Sequence, residues 1–271
     1  SRGKKVVVVL NICGPVEVAS WRDKVDAILV AWLPGQEAGN SIADALLGKV
    51  SPSGHLSTSF PMKYADVPSQ NFPVDVPETG LNQSFENFSY VNKYYDQPNV
   101  DYTNYTEDIF IGYRHYATRG VEVAYPFGHG LTYSQFELSD MKVKQSKSGY
   151  AISCKVTNTG NHAAKQVVQL YSTALFPDHE RPLVELRGYT KTPTLNPGES
   201  KVVEINISAD DLAIFVEQES AWKTIAGDYR LSLGFSSEDL RVNREIFIPA
   251  TKVVRKVTDI LKPTDGKLFI E

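Results

Sequence analysis

The chain has 271 residues, 42% hydrophobic and 22% charged, with a net charge of −4. That balance is ordinary for a globular protein with room for two separate cores, and the acidic excess argues against a nucleic-acid binder, which needs a basic face. No apolar run reaches membrane-spanning length, and two cysteines, Cys13 and Cys154, with no CxxC or HExxH spacing, leave neither a disulfide framework nor a metal site.

The chain starts Ser1-Arg2-Gly3-Lys4-Lys5, without a methionine, and enters a strand at once, so it reads as a fragment or a processed chain. The lack of a visible signal peptide then says nothing about compartment. Val6-Val7-Val8-Val9-Leu10 is a continuous β-branched run, the pattern of a strand buried on both faces of a parallel sheet. Asn11 to Asp26 crosses over, opened by Pro15, with Trp21 and Val25 as core contacts, and Ala27 to Trp32 is the second parallel strand. Pro34 and Gly35 break that strand. Asn40 or Ser41 caps a helix over Ser41 to Leu47, whose apolar positions Ile42, Ala45 and Leu46 recur at helical spacing. Gly48 ends it as a C′ residue. Ser51-Pro52-Ser53-Gly54 makes a turn, and Leu56 to Phe60 returns as a short strand. The loop after the second strand, at its carboxyl end, is where an α/β sheet normally places function. A sheet of about three strands falls short of the usual five or so, so the first half of this layer is expected upstream.

Residues 62–108 are rich in Pro, Asn, Asp, Ser and Tyr and lack apolar periodicity. Tyr90, Tyr94, Tyr95, Tyr102 and Tyr105 either line a ligand site or pack against their own domain. Glu107 to Tyr116 follows, and the alternation of Ile109, Ile111 and Tyr113 predicts a short strand. Arg114 and His115 either reach a ligand or hold this segment to the sheet. Tyr125 to Phe136 is a turn-rich connector in which Gly128 and Gly130 permit turns closed to other residues. Phe127, Tyr133 and Phe136 anchor it by burial. His129 has no acid or nucleophile beside it and reads as a hydrogen-bonded histidine between domains rather than a base.

From Phe136 the pattern is all-β. Strands are predicted over Phe136–Gln145, Tyr150–Asn158, Gln166–Ser172, Leu186–Thr194, Lys201–Ile207, Ala221–Ile225, Gly227–Phe235 and Glu245–Ile248. Turn signals separate them, and the even spacing predicts a β-sandwich. Asp210-Asp211-Leu212 reads as a helical turn. Thr251 to Glu271 is a tail of mixed polarity whose Val253, Val254 and Val257 are candidates to dock on the first domain.

These motifs carry a resemblance. Leu33-Pro34-Gly35-Gln36-Glu37-Ala38-Gly39-Asn40, then Gly48-Lys49-Val50-Ser51-Pro52-Ser53-Gly54 and Phe60-Pro61, resembles the second domain of family 3 glycoside hydrolases, the β-glucosidase and β-xylosidase type. Glu107 to Tyr116 is similar to a further motif of that family, with Asp108 where glycine is common, and Tyr125 to Phe136 to its interdomain linker. Val156-Thr157-Asn158-Thr159-Gly160, Val167 to Tyr171, Arg181 to Tyr189 and Leu195 to Glu199 resemble the fibronectin type III-like domain that ends many of these enzymes. The expected fold is therefore α/β followed by all-β: the C-terminal half of an α/β domain over residues 1–126, a linker at 127–135, a fibronectin type III-like sandwich over 136–250 and a tail over 251–271.

The resemblance implies retaining hydrolysis by two carboxylates about 5–5.5 Å apart. It places both upstream of Ser1, an aspartate nucleophile on a barrel and a glutamate acid/base ahead of the first strand, so no catalytic residue is expected in this chain. Tyr94, Tyr95 and Arg114 are the candidate substrate contacts. Gln36 and Glu37 are read as a structural pair tying the loop to its helix, with His129 structural as well. No cofactor and no metal is expected. The expected partners are an oligosaccharide or β-glucoside and the upstream barrel and half-domain of the same protein, with no nucleic acid and no membrane, in a periplasmic or secreted setting rather than a cytoplasmic one. Three readings stand: an exo-acting β-glucosidase, a β-xylosidase on the same scaffold, and a non-catalytic carbohydrate-binding or assembly module.

Overall fold

The computed structural model describes residues 3–68, 107–146, 149–177 and 181–258. They divide between two compact units, one drawn from Ser1–Ile42 and Leu56–Phe127, the other from Ala43–His55 and Gly128–Glu271. No helix among the described residues is long and apolar enough to cross a membrane.

In the first unit β1 (Val7–Leu10) and β2 (Ala27–Val30) pair in parallel, Val7 opposite Ala27 through Leu10 opposite Val30. The β-branched run therefore forms its strand. Burial on both faces is not met: Val7 and Val9 remain 44% and 36% exposed, because nothing in the described chain covers that side of the pair. The crossover is irregular, with a single 3-10 turn at Arg22–Lys24. Local polar bonds hold it. The Glu17 carboxylate accepts from the Ser20 amide and hydroxyl, both at 2.7 Å, and the Trp21 indole donates to the Glu17 carbonyl at 3.1 Å. Val18, Phe60 and Ala124 form the small core, with Leu10, Trp21, Val30, Trp32 and Tyr125 packed around it.

Helix α1 (Ala38–Leu46) follows a 3-10 turn at Gly35–Glu37 and starts three residues before Ser41. Gly48 ends it at φ +71°, a left-handed position that glycine occupies without a Cβ penalty. The strand expected over Leu56 to Phe60 is corrected to β3 (Phe60–Pro61), which pairs antiparallel with β4 (Val123–Tyr125) instead of extending the parallel sheet. Pro61 has no amide hydrogen to continue a ladder, so the strand stops there. Phe60 is buried between Trp32 and Tyr125, ring centroids 6.2 and 6.4 Å away.

The strand expected around Ile109–Tyr113 is likewise corrected. Gly112 turns the chain at φ +57°, and Tyr113–Arg119 forms helix α2. Gly120 closes the helix in the left-handed conformation and donates its amide to the Tyr116 carbonyl. Glycines at both ends override an alternation that only Ile109, Ile111 and Tyr113 carried.

The second unit is an antiparallel β-sandwich, as its spacing predicts. One sheet has the order β5 (Phe136–Ser146), β6 (Gly149–Asn158), β9 (Ser200–Ser208). The other runs β13 (Leu240–Ile248), β12 (Gly227–Gly234), β7 (Val167–Ala174), β8 (Glu185–Lys191). Their inner faces interdigitate through Ile152, Val156, Val168, Leu170, Leu231 and Leu233, each at most 1% exposed. A 3-10 turn at Ala209–Leu212 fills the predicted helical turn. A third sheet joins β10 (Ile214–Val216), β11 (Ala221–Thr224) and β14 (Lys252–Lys256). The start of the expected tail is thus a strand paired with β11 inside the second unit, with Trp222 opposite Arg255 and Lys223 opposite Val253. Among the described residues no helix beyond Phe136 exceeds a single turn.

Candidate functional site

The loop after β2 carries Gln36 and Glu37. Gly35, at φ +73°, lets the chain leave the strand and wind into the 3-10 turn. Both side chains are exposed. The Glu37 carboxylate accepts one hydrogen bond, from the Asn40 amide at 2.7 Å, which ties the turn to the first turn of α1. That contact is the geometry of a loop brace. An acid that serves as nucleophile or proton donor needs a second carboxylate across the scissile bond.

Arg114 and His115 sit in the first turn of α2, both half-buried. His115 meets the Tyr116 ring edge-on at 5.4 Å. Burial holds its imidazole below the ordinary value, and the neighbouring Arg119 charge adds to that. Tyr113, at the start of α2, stacks on Phe127 at 4.6 Å and 24°. The stack packs the helix N-terminus against the start of the connector. Glu107 keeps one carboxylate oxygen out of solvent with no hydrogen-bond partner among the described residues. Tyr94 and Tyr95 lie outside the described residues.

His129 belongs to the second unit, where the sequence motifs around it converge on a buried polar knot. The Gln169 amide donates to the Gly128 carbonyl at 3.0 Å and to the Phe235 carbonyl at 2.8 Å. The Tyr171 hydroxyl donates to the Gln169 carbonyl oxygen at 2.6 Å. His55 Nδ1 donates to the same Gly128 carbonyl, which fixes its tautomer and leaves Nε2 buried without a partner among the described residues. Burial lowers the pKa of His55, against the opposing pull of the Gly128 and Phe235 carbonyls. His129 is lowered by burial first and by His55 second, with Asp239 pulling the other way. Gly128 is at φ +81°, and a Cβ there would stand 2.1 Å from the Gln169 carbonyl oxygen. This knot contains no nucleophile. It holds the connector in place.

Sequence reasoning singled out His129 and Gly128 but missed His55 and Gln169. A signal for Gln169 existed: it is one amide inside the apolar run Val167 to Tyr171, and a polar side chain buried in such a run must find partners. His55 had no comparable signal, since its partners lie 73 residues or more downstream.

Residues 1–133 match the family model described as the glycosyl hydrolase family 3 C-terminal domain, and residues 166–237 match the fibronectin type III-like domain. Thermostable beta-glucosidase B of Acetivibrio thermocellus is 36% identical over 256 residues, covering 93% of this chain and 30% of that protein. Beta-glucosidase B of Emericella nidulans is 38% identical over 248 residues, covering 90% of this chain and 28% of that protein. The chain thus spans about 30% of the length of the curated relatives it matches. Among solved structures, beta-glucosidase 3B from Thermotoga neapolitana in complex with alpha-D-glucose superposes with a TM-score of 0.81 at 41% identity, covering 93% of this chain and 32% of that one.

Proposed function

The chain belongs to glycoside hydrolase family 3, and from that premise we propose that it is the C-terminal portion of an exo-acting β-glucosidase, which removes terminal β-D-glucosyl residues from oligosaccharides or glycosides. The observation that carries this reading is the similarity of nearly the whole chain, across both units, to proteins named beta-glucosidase. In the intact protein this portion supplies scaffold and part of the substrate cleft. The nucleophile and the acid/base belong to an upstream barrel and to the first half of the α/β domain. The exposed Val7 and Val9 side of β1 fits a partner layer of that kind, because apolar strand faces are stable only when covered.

Within the reading, Tyr94, Tyr95 and Arg114 contact substrate, while Gln36, Glu37 and His129 keep the loop and the connector in place. A periplasmic or secreted location is part of it and is checked by whether the full-length protein carries a cleaved signal peptide.

The deciding experiment assays the full-length protein with p-nitrophenyl β-glucoside and p-nitrophenyl β-xyloside. Faster turnover of the glucoside is expected. Preference for the xyloside would replace the reading with a β-xylosidase, and no turnover of either would leave a carbohydrate-binding or assembly role. The Glu37→Gln variant is expected to keep its kcat.

A further inference from the structure

The sandwich has an open groove of about 520 Å³ on the side where β5 and β13, the edge strands of the two sheets, run past each other. That volume lies within the range of small-molecule sites. Its floor is apolar: Met141 is 3% and Tyr150 7% exposed, and Ile246 is half-buried beside them. Phe247 stands at the wall with 61% of its surface open.

The charges left without an ion-pair partner among the described residues are of one sign. Lys142 and Arg244 line the groove, and neither makes an ion pair with any described residue. Arg244 donates one guanidinium hydrogen to the Asn243 carbonyl at 2.8 Å and keeps the others. The single carboxylate in the lining, Glu245, is already engaged by Arg230 at 3.0 Å. The Tyr150 hydroxyl also lacks a hydrogen-bond partner among the described residues, although the residue is more than nine-tenths buried. Burial raises its pKa, so it remains a neutral donor at physiological pH.

An apolar floor, an open aromatic face, a free hydroxyl and two cations without counter-charge together define a complement: a small molecule with an apolar body and one carboxylate. We propose that this groove binds such a carboxylate, its apolar part on Met141, Ile246 and Phe247 and its oxygens toward Lys142 and Arg244. Arginine is suited to the task because its planar fork meets both oxygens of a carboxylate. The site lies wholly within the second unit and is independent of the glycosidase reading.

The test is calorimetric titration of the full-length protein with 3-phenylpropionate and, in parallel, with 3-phenylpropanol, which keeps the body and removes the charge. One site for the acid and at least tenfold weaker binding of the alcohol are expected. Lys142→Ala and Arg244→Ala should each weaken the acid about fivefold, the upper scale for an exposed ion pair, and the double Glu variant should abolish it. Phe247→Ala should weaken both probes. Turnover of p-nitrophenyl β-glucoside, or its absence, should be the same in all of these variants as in the parent. Equal affinity for acid and alcohol, unchanged affinity in the double Glu variant, or no binding of the acid at millimolar concentration would overturn the proposal. The variants change exposed side chains, so their thermal transitions should match the parent.

Discussion

Gly128 is the residue on which most of the second unit's polar knot depends. An alanine there would hold a left-handed backbone, at about 1–2 kcal/mol, and crowd Gln169, whose side chain is held by two carbonyls and a hydroxyl in the buried knot. Gly128→Ala should therefore lower unfolding free energy by about 3 kcal/mol, combining backbone strain with one lost buried hydrogen bond, as measured by urea titration. An alanine with parent-like stability would show that the knot can relax. His55, in the same knot, predicts a pH effect. Its folded pKa lies below the ordinary value of about 6.5, so the unfolded chain binds more protons in the window beneath that value. Stability is then full above about pH 6.5 and falls as the pH drops through it toward the lower folded pKa. His55→Asn keeps a donor to the Gly128 carbonyl and cannot titrate. Its urea midpoint should change less between pH 7.5 and 5 than the parent's, and an equal change would remove His55 from the account. What the sequence shows at this scale is uneven. Gly128 and His129 are visible because glycine and histidine flank a dense aromatic run. Their partners His55 and Gln169 come from distant strands and turns, and only the closed sandwich brings them together.

Between residues and domains lie the elements, where turn chemistry decides more than apolar period. Ser208 accepts from the Asp211 amide at 3.2 Å, and the Asp211 carboxylate accepts from the Ser208 amide at 2.7 Å, a reciprocal cap on the turn after β9. Ser208→Ala should cost about 1 kcal/mol. A scan of the melting transition checks this, and a loss under a few tenths would mean that the exposed turn frays already. The sandwich strands were legible because alternation and turn residues agree: β6 runs buried and half-buried by turns along its length, between Gly149 and the Asn158-Thr159-Gly160 turn. The misreadings fall where signals conflict. Ile109, Ile111 and Tyr113 alternate like a strand, yet Gly112 and Gly120 bracket a two-turn helix. The run Lys252-Val253-Val254-Arg255-Lys256 looks like a polar tail because an edge strand with a register shift exposes most of its side chains. Charged edges of this sort blunt further strand pairing, which hides a strand from a hydrophobicity argument.

For the molecule as a whole, the 271-residue chain by itself is expected to release no p-nitrophenol from the β-glucoside or β-xyloside, since the family mechanism needs two carboxylates across one bond. On the proposed reading, turnover should appear when an upstream barrel and half-domain are supplied. Hydrolysis by the isolated chain, abolished by Glu37→Gln, would overturn both the upstream placement of the catalytic pair and the bracing role of Glu37. Family and fold order were readable because the motifs recur in sequence order over both units. The candidate contacts Tyr94 and Tyr95 have no comparable support, because the tyrosine-rich stretch carries no periodicity from which a position could be reasoned. The division of the chain has its own outcome. Ala43–His55 packs with residues after Gly128, while the stretch between them, with everything before Ala43, builds the other unit. The polypeptide therefore passes from one unit to the other three times. No single cut can release either one whole, so trimming by a protease at one bond would yield two incomplete pieces. On the ribosome, Ala43–His55 emerges more than seventy residues ahead of the Gly128 carbonyl that His55 will hold. The earlier unit has to leave that stretch unclaimed until the sandwich has been synthesised.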